Sequence, residues 1–379
     1  MSTCYVLGAG FSKAVAEMPM MRDMIPAFHR IHSEAKNDGN RRLAKAGDLI
    51  TGFLAQLERG NFIEPYVNEN LGEVPIDTGL NNNLEHILSL IDLYLECRWQ
   101  GRVQSDNRTA AVTGRGIGTR IPMPKELREA FRLYIYKTLT QKIYRHSNGK
   151  LLREFVEHIE PGDTLITFNY DLLLETALYE HGIWVPKDGY GFPLDISDED
   201  VSEDKRIVSH VKVFKVHGSL HWRYSDAIRC FQPNIGIGLS RWYEDWTPVF
   251  PGYFRNDDPP WKQAGRDYTD SQGTHGVYGM LPSFIKHFSS HPLMEIWRMA
   301  SEALRAASEV VVIGYSLPAY DSASVLLMAT SGVESKTLVI VNPDSATRNH
   351  IATTTGHGNP LQYRRLEDYL GAVPGRVAD

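Results

Sequence analysis

The sequence predicts a doubly wound α/β fold built on a parallel sheet of about six strands. Two observations predict it. Five short runs are rich in β-branched and aromatic residues, and most are apolar nearly throughout: Thr3–Leu7, Thr164–Phe168, Val211–Val216, Glu309–Ile313 and Thr337–Val341. Strands buried on both faces of a parallel sheet read this way, whereas strands with one wet face alternate. Helical patterns fall between most of these runs, at Leu172–His181, Leu293–Ala307, Ser322–Ser331 and Ser345–Thr353. Strand and helix in alternation mean βαβ units, hence a Rossmann-like sheet. Leu361–Leu366 is a weaker sixth strand candidate.

The first strand runs directly into Gly8-Ala9-Gly10-Phe11-Ser12. Glycines at a strand-to-helix turn let the backbone approach a phosphate, with the following amides aimed at it. The same residues also suit a tight turn that holds no ligand. After this turn comes a mainly helical insert, roughly residues 20–160. Its best segment, Leu84–Cys97, places Leu84, Ile87, Leu88, Ile91 and Leu95 on one face, with Asn82 and Glu85 as a start resembling a capping box. A second helical pattern runs from Lys125 to Tyr144, and Gly101–Arg120 between them reads as a mobile loop. That loop has too little charge for the phosphate contacts of a nucleic-acid arm.

The second strand ends in Thr167-Phe168-Asn169-Tyr170-Asp171. Ligands of open α/β sheets sit just outside this carboxyl edge, so Asn169 and Asp171 are candidates for binding. The other reading makes Asp171 the cap of the next helix and Asn169 a turn residue. The third strand ends in Val216-His217-Gly218-Ser219-Leu220-His221-Trp222. An imidazole titrates near neutrality, which suits His217 to general-base work. Pairing His217 with His221 on zinc would need a helix, and Gly218 argues against one. The stretch Leu220–His291 is rich in Trp, Tyr, Pro and Gly, including Trp222, Trp242, Tyr243, Trp246 and Trp261. It reads as irregular, either a cap over a ligand or an oligomer contact.

The fourth strand ends in Gly314-Tyr315-Ser316-Leu317-Pro318, with Asp321 following. This is like a nucleophile elbow around Ser316, but proline replaces the final glycine and the elbow's strain logic is lost. The fifth ends in Asn342-Pro343-Asp344, where a polar residue either holds an adenosine ribose or, as Asp344 or Ser345, caps the next helix. Singly each signal is weak. Five polar or glycine clusters at one edge of one sheet describe a nucleotide pocket.

Composition excludes several classes. At 379 residues, with 42% hydrophobic and 23% charged, the chain is neither disordered nor fibrous. Lys+Arg 40 against Asp+Glu 46 gives 40 − 46 = −6, so direct nucleic-acid binding is not expected. Three scattered cysteines, Cys4, Cys97 and Cys230, exclude a disulfide scaffold and a four-thiolate zinc site. The N-terminus has no basic stretch before its apolar run, so it does not read as a secretory signal. No apolar run approaches the ~20 residues of a membrane span. A single cytoplasmic domain, 1–379, is expected, carrying the 20–160 insert and the 220–291 segment.

The ordered set Gly-Ala-Gly-Phe-Ser, Thr-Phe-Asn-Tyr-Asp, Val-His-Gly, Gly-Tyr-Ser-Leu-Pro and Val-Asn-Pro-Asp resembles the sirtuin superfamily. It is most similar to bacterial sirtuin-like proteins of antiphage defence, which consume NAD. The resemblance covers residues 3–20, 160–222 and 305–345. It implies that Gly8, Ala9, Gly10, Phe11 and Ser12 line the diphosphate and ribose. Asn169 would orient the nicotinamide ribose or the attacking water, Asp171 would face the carboxamide, and His217 would be the base. Gly314, Ser316, Asn342 and Asp344 would hold the other half of NAD.

The chain departs from deacylating sirtuins in three places. The zinc thiolates have no counterpart, and segment 220–291 stands where the zinc module would be. Pro19, Met20 and Arg22 replace the usual run after the glycine loop, and the Val-Phe-Gly peptide strip is missing. The expected activity is therefore NAD glycohydrolysis without a metal, with NAD as substrate, rather than protein deacylation. A deacylase, an ADP-ribosyltransferase, cyclisation of ADP-ribose, and a non-catalytic NAD or ADP-ribose sensor stay open. The resemblance also implies a homo-oligomer and, as candidate partner, a HerA-type ATPase or another defence protein.

Overall fold

The computed structural model describes residues 2–58, 149–191, 208–225, 291–318 and 321–372, with shorter pieces within 84–91, 127–139, 237–239 and 275–279. Strands β1 (Thr3–Leu7), β2 (Thr164–Thr167), β3 (Lys212–Lys215), β7 (Glu309–Ile313), β8 (Thr337–Val341) and β9 (Leu361–Tyr363) form one sheet. Its order is β3-β2-β1-β7-β8-β9, and every pairing is parallel. This is the α/β, Rossmann-like architecture expected from the apolar runs. β1 is buried along its whole length, as a central strand under layers on both faces must be. Val6 lies in register with Ile166 on one side and Val312 on the other.

β2 and β3 step outward from one side of β1, while β7, β8 and β9 step outward from the other. The order therefore reverses between β1 and β7, and loops leaving those strands splay apart to form a crevice. Phe155, on the helix Lys150–Val156, packs edge-on against Tyr5 and Phe11 with centroids 5.4 and 4.9 Å away. Burial of such a ring stabilises by roughly 1.5–3 kcal/mol, and the edge contacts add about 0.5–1.5 more.

Two differences from the sequence reading concern the periphery. β9 is shorter than Leu361–Leu366, because Asp368 accepts the Arg365 N–H (3.2 Å) and Leu366 already starts the helix Leu366–Ala372. The 220–291 segment, expected to be irregular, contributes to a three-stranded antiparallel sheet of β4 (Gly218–Ser225), β5 (Ile237–Leu239) and β6 (His275–Gly279). Gly238, Gly276 and Gly279 sit in these strands and weaken the pattern that would mark them. Gly101–Arg120, Asn82, Cys97, Cys230, Trp242, Tyr243, Trp246 and Trp261 lie outside the described residues.

The chain divides into two compact units, one of Met1–Met20, Leu139–Met280 and His287–Asp379, the other of Met21–Thr138 with Leu281–Lys286. The second is helical: Met21–Asn37 packs on Arg41–Glu58, and Phe28 meets Tyr134 edge-on at 5.5 Å. Leu84, Ile87, Leu88 and Ile91 are helical and buried, the i, i+3, i+4, i+7 stripe of an amphipathic helix. Among the described residues, no helix is long and apolar enough to cross a membrane.

Candidate active site

The glycine turn and the Gly314 loop are fitted to each other at the point where the strand order reverses. A Cβ on Gly8 would lie 2.5 Å from Tyr315 Cα, and one on Gly10 would lie 2.7 Å from Gly314 O. Gly314 itself has φ +60, and its Cβ would lie 2.2 Å from Phe11 N. Gly8 N donates to Ile313 O (3.0 Å), Gly10 N to Gly314 O (2.8 Å) and Phe11 N to Gly8 O (2.9 Å). Packing between two loops thus explains these glycines without a phosphate. It also engages three amides that the sequence alone would aim at one. Ala9 is exposed at this edge, whereas the Phe11 ring is sunk in the core.

Ser12, Asn169 and Asp171 form one buried network. Asn169 Nδ2 donates to Gly8 O and to Ser12 Oγ, both at 2.9 Å. Ser12 Oγ donates its own hydrogen bond to Asp171 Oδ2 at 2.7 Å, and Asp171 Oδ1 accepts the Leu173 N–H at 3.2 Å. The Asn169 N–H is held by Thr167 Oγ1. These bonds join the loops after β1 and β2, and they commit both carboxylate oxygens of Asp171. The N-cap of the helix Leu173–Glu180 is Leu172 rather than Asp171, which stands one residue before it and reaches the first turn only through the Leu173 N–H.

His217 follows β3 and is almost enclosed. Phe168 meets it edge-on at 5.1 Å, and Tyr170 and Trp297 lie 6.1 and 6.3 Å away. Phe168 stacks flat on Tyr315 at 4.0 Å, and Trp297 Nε1 donates to Val216 O at 2.8 Å, closing the wall. His217 Nε2 lies 3.5 Å from Asp321 Oδ2, which Tyr315 Oη also approaches at 3.5 Å. Asp321 is buried, and its Oδ1 accepts the Ser324 N–H to start the helix Ser322–Ala329. A carboxylate beside an imidazole orients the ring and stabilises its protonated form. Reading the sequence missed this role for Asp321. Its position three residues after Pro318 gave no signal, because a helix cap predicts the same residue.

The remaining candidates are arranged less tightly. The Ser316 side chain is exposed at the edge. Beside it Leu317 is buried with φ +47, a left-handed geometry that costs a branched residue about 1–3 kcal/mol. His350 Nε2 bonds Leu317 O at 2.9 Å and helps hold it there. Asn342 bonds Tyr315 O through Nδ2 (3.3 Å) and receives the Asp344 N–H at Oδ1 (3.0 Å). Asp344 is the cap of the helix Ser345–Thr354, accepting from Ala346 N and from Thr347 N and Oγ1. Those bonds, the Thr347 hydroxyl foremost, hold its carboxyl below the usual range. Among the described residues, no group of three or more His, Cys, Asp or Glu is placed to hold a metal ion.

The strand order and the polar carboxyl edge define the class: an open α/β protein of the Rossmann type with a candidate site at its switch point. No family model and no curated protein matches the chain. Solved structures similar to it include a Sir2 homolog in complex with NAD, 14% identical over 65% of this chain and 72% of that one, TM-score 0.34. Another is Sir2 with a p53 peptide and NAD, also 14% identical, covering 98% and 91%, TM-score 0.37. A third concerns sirtuin substrate affinity, 14% identical over 100% and 94%, TM-score 0.36.

Proposed function

We propose that this protein is an NAD glycohydrolase, converting NAD and water to nicotinamide and ADP-ribose as a triggered antiphage effector. The observation that carries the reading is the His217–Asp321 pair at 3.5 Å, enclosed by aromatic rings at the carboxyl edge of the sheet. A site that only bound a nucleotide would not need a carboxylate-backed imidazole there. In this reading the C–N bond of the nicotinamide ribose breaks and its electron pair leaves with the cationic ring as neutral nicotinamide. Water adds to the ribose carbon and its proton passes to His217, whose charged form Asp321 stabilises. Asn169, fixed by Gly8 and Ser12, offers its Oδ1 to the ribose or the water. Gly8, Ala9, Gly10 and Ser12 border the diphosphate, while Gly314, Ser316, Asn342 and Asp344 border the far half.

A non-catalytic NAD or ADP-ribose sensor would use the same pocket, and one experiment separates it from the hydrolase. Purified protein should be incubated with NAD, alone and with extract of phage-infected cells, and the products chromatographed. Nicotinamide and linear ADP-ribose in equal amounts support hydrolysis. Bound nucleotide with no nicotinamide under either condition supports the sensor, and an acylated or ADP-ribosylated product supports transfer. A homo-oligomer, a HerA-type ATPase or another defence protein is the proposed source of the trigger, because ungated hydrolysis would exhaust cellular NAD.

A further inference from the structure

Behind the site lies an ion pair with no exposure at all. Lys215, in β3, and Glu175, on the helix Leu173–Glu180, are both 0% exposed, with Nζ and Oε1 2.8 Å apart. Tyr190 Oη also donates to Glu175 Oε1 at 3.2 Å. Burying two charges costs several kcal/mol each, and a hydrophobic pair of similar volume is often as stable. Simple stability therefore does not account for the pair. Its geometry does. Lys215 Nζ also donates to Asp171 O at 2.5 Å, reaching from β3 to the loop that carries Asn169 and Asp171. Loop backbone is ordinarily free to shift; here one carbonyl is clamped by a cation that cannot move without unpairing Glu175.

We propose that Lys215 is a positioning residue: the buried Lys215–Glu175 pair clamps the Asp171 carbonyl and so sets the Asn169–Ser12–Asp171 network against His217. This deepens the NAD reading of the same site. Glu175 is the partner of that cation by geometry, with Oε1 2.8 Å from Nζ, even though burial pushes its carboxyl up against the pull of Lys215. A carboxyl so raised can take a proton when Lys215 is gone, so replacing the lysine need not strand a charge.

Two variants test the clamp, Lys215→Met and the neutral double Lys215→Met/Glu175→Gln. Amide exchange over residues 167–173 is read first, because it needs no substrate. Both variants should melt cooperatively, and exchange in that segment should rise by about tenfold or more, the effect of losing a hydrogen bond to a charged group. Exchange in β7 and β8 should be unchanged. With NAD, kcat should fall and KM hold. Parent-like exchange over 167–173 in whichever variant folds overturns the proposal, and so does a uniform rise across the whole sheet. If the parent makes no nicotinamide, the NAD reading fails while the exchange result still decides the clamp.

Discussion

His217 Nε2 lies 3.5 Å from Asp321 Oδ2, so the end of β3 and the loop after β7 meet across the crevice. Neither residue suggests the other in sequence. Asp321→Asn removes the negative charge but keeps an oxygen for the Ser324 N–H, so the helix Ser322–Ala329 should start as before. Without that carboxylate a protonated imidazole is less favoured. With NAD, kcat should therefore fall and KM hold. An unaltered kcat in the folded variant would remove Asp321 from the chemistry and leave it a helix cap.

Replacing His217 by Ala should cut NAD cleavage by ~10²–10⁴-fold, the usual contribution of a general base. Equilibrium binding should persist, because the proposed phosphate and ribose contacts come from other strands. His217 also fills a space among Phe168, Tyr170 and Trp297, so circular dichroism must confirm the fold first. Cleavage at the parent rate by a folded variant would sink the assignment of the base.

Asn169→Ala deletes the two bonds by which its Nδ2 group ties the second loop to the first, while Gly8 O keeps the Phe11 N–H and Ser12 Oγ keeps Asp171. A destabilisation of about 0.5–1.5 kcal/mol per lost bond follows. Turnover should fall more than binding. Urea denaturation and single-turnover kinetics measured side by side separate the two effects. A variant as stable and as fast as the parent would mean that the network is ornamental.

The sheet was legible because its physics is local: β1, β7 and β8 are apolar at nearly every position, and each spans the residues expected. The glycine turn was legible as a turn. Its reason was not, since what Gly8, Gly10 and Gly314 meet is each other's backbone, a long-range fit that spacing does not encode. The same limit hid the Lys215–Glu175 pair, where two charges in apolar runs look like surface positions until the fold closes over them. Asp344 shows the opposite case, since a cap and a site residue have the same signature in sequence.

Gly314→Ala should damage the fold itself rather than a ligand contact. A Cβ there would stand 2.2 Å from Phe11 N and 2.4 Å from Gly10 C, backbone atoms that no rotamer change can clear. The φ of +60 adds strain of about 1–3 kcal/mol on its own. Gly332→Ala is the control, with φ +69 and nothing within 4 Å of its Cβ. Urea midpoints should drop much further for Gly314→Ala than for the control, and the difference is the steric part. Equal drops would refute the close-fit account of this turn.

Asp344 provides a prediction with a definite pH sign. Its carboxyl is held below the usual carboxylate range by Thr347 Oγ1 and N and by Ala346 N, so the folded state favours the charged form. A group depressed on folding contributes stability that is present above its unfolded value and lost as pH falls through its folded one. Asn caps a helix about as well as Asp but does not titrate. The parent should therefore exceed Asp344→Asn in stability at neutral pH, and the gap should shrink as pH falls below about 4, the ordinary Asp value, and on through the lower folded one. Because Asp344 is exposed, salt should also narrow the gap by screening its attraction to the helix dipole and Arg348. Chemical denaturation of both proteins across that range reads the difference directly. A gap that stays constant into acid would show that the cap works through hydrogen-bond shape rather than charge.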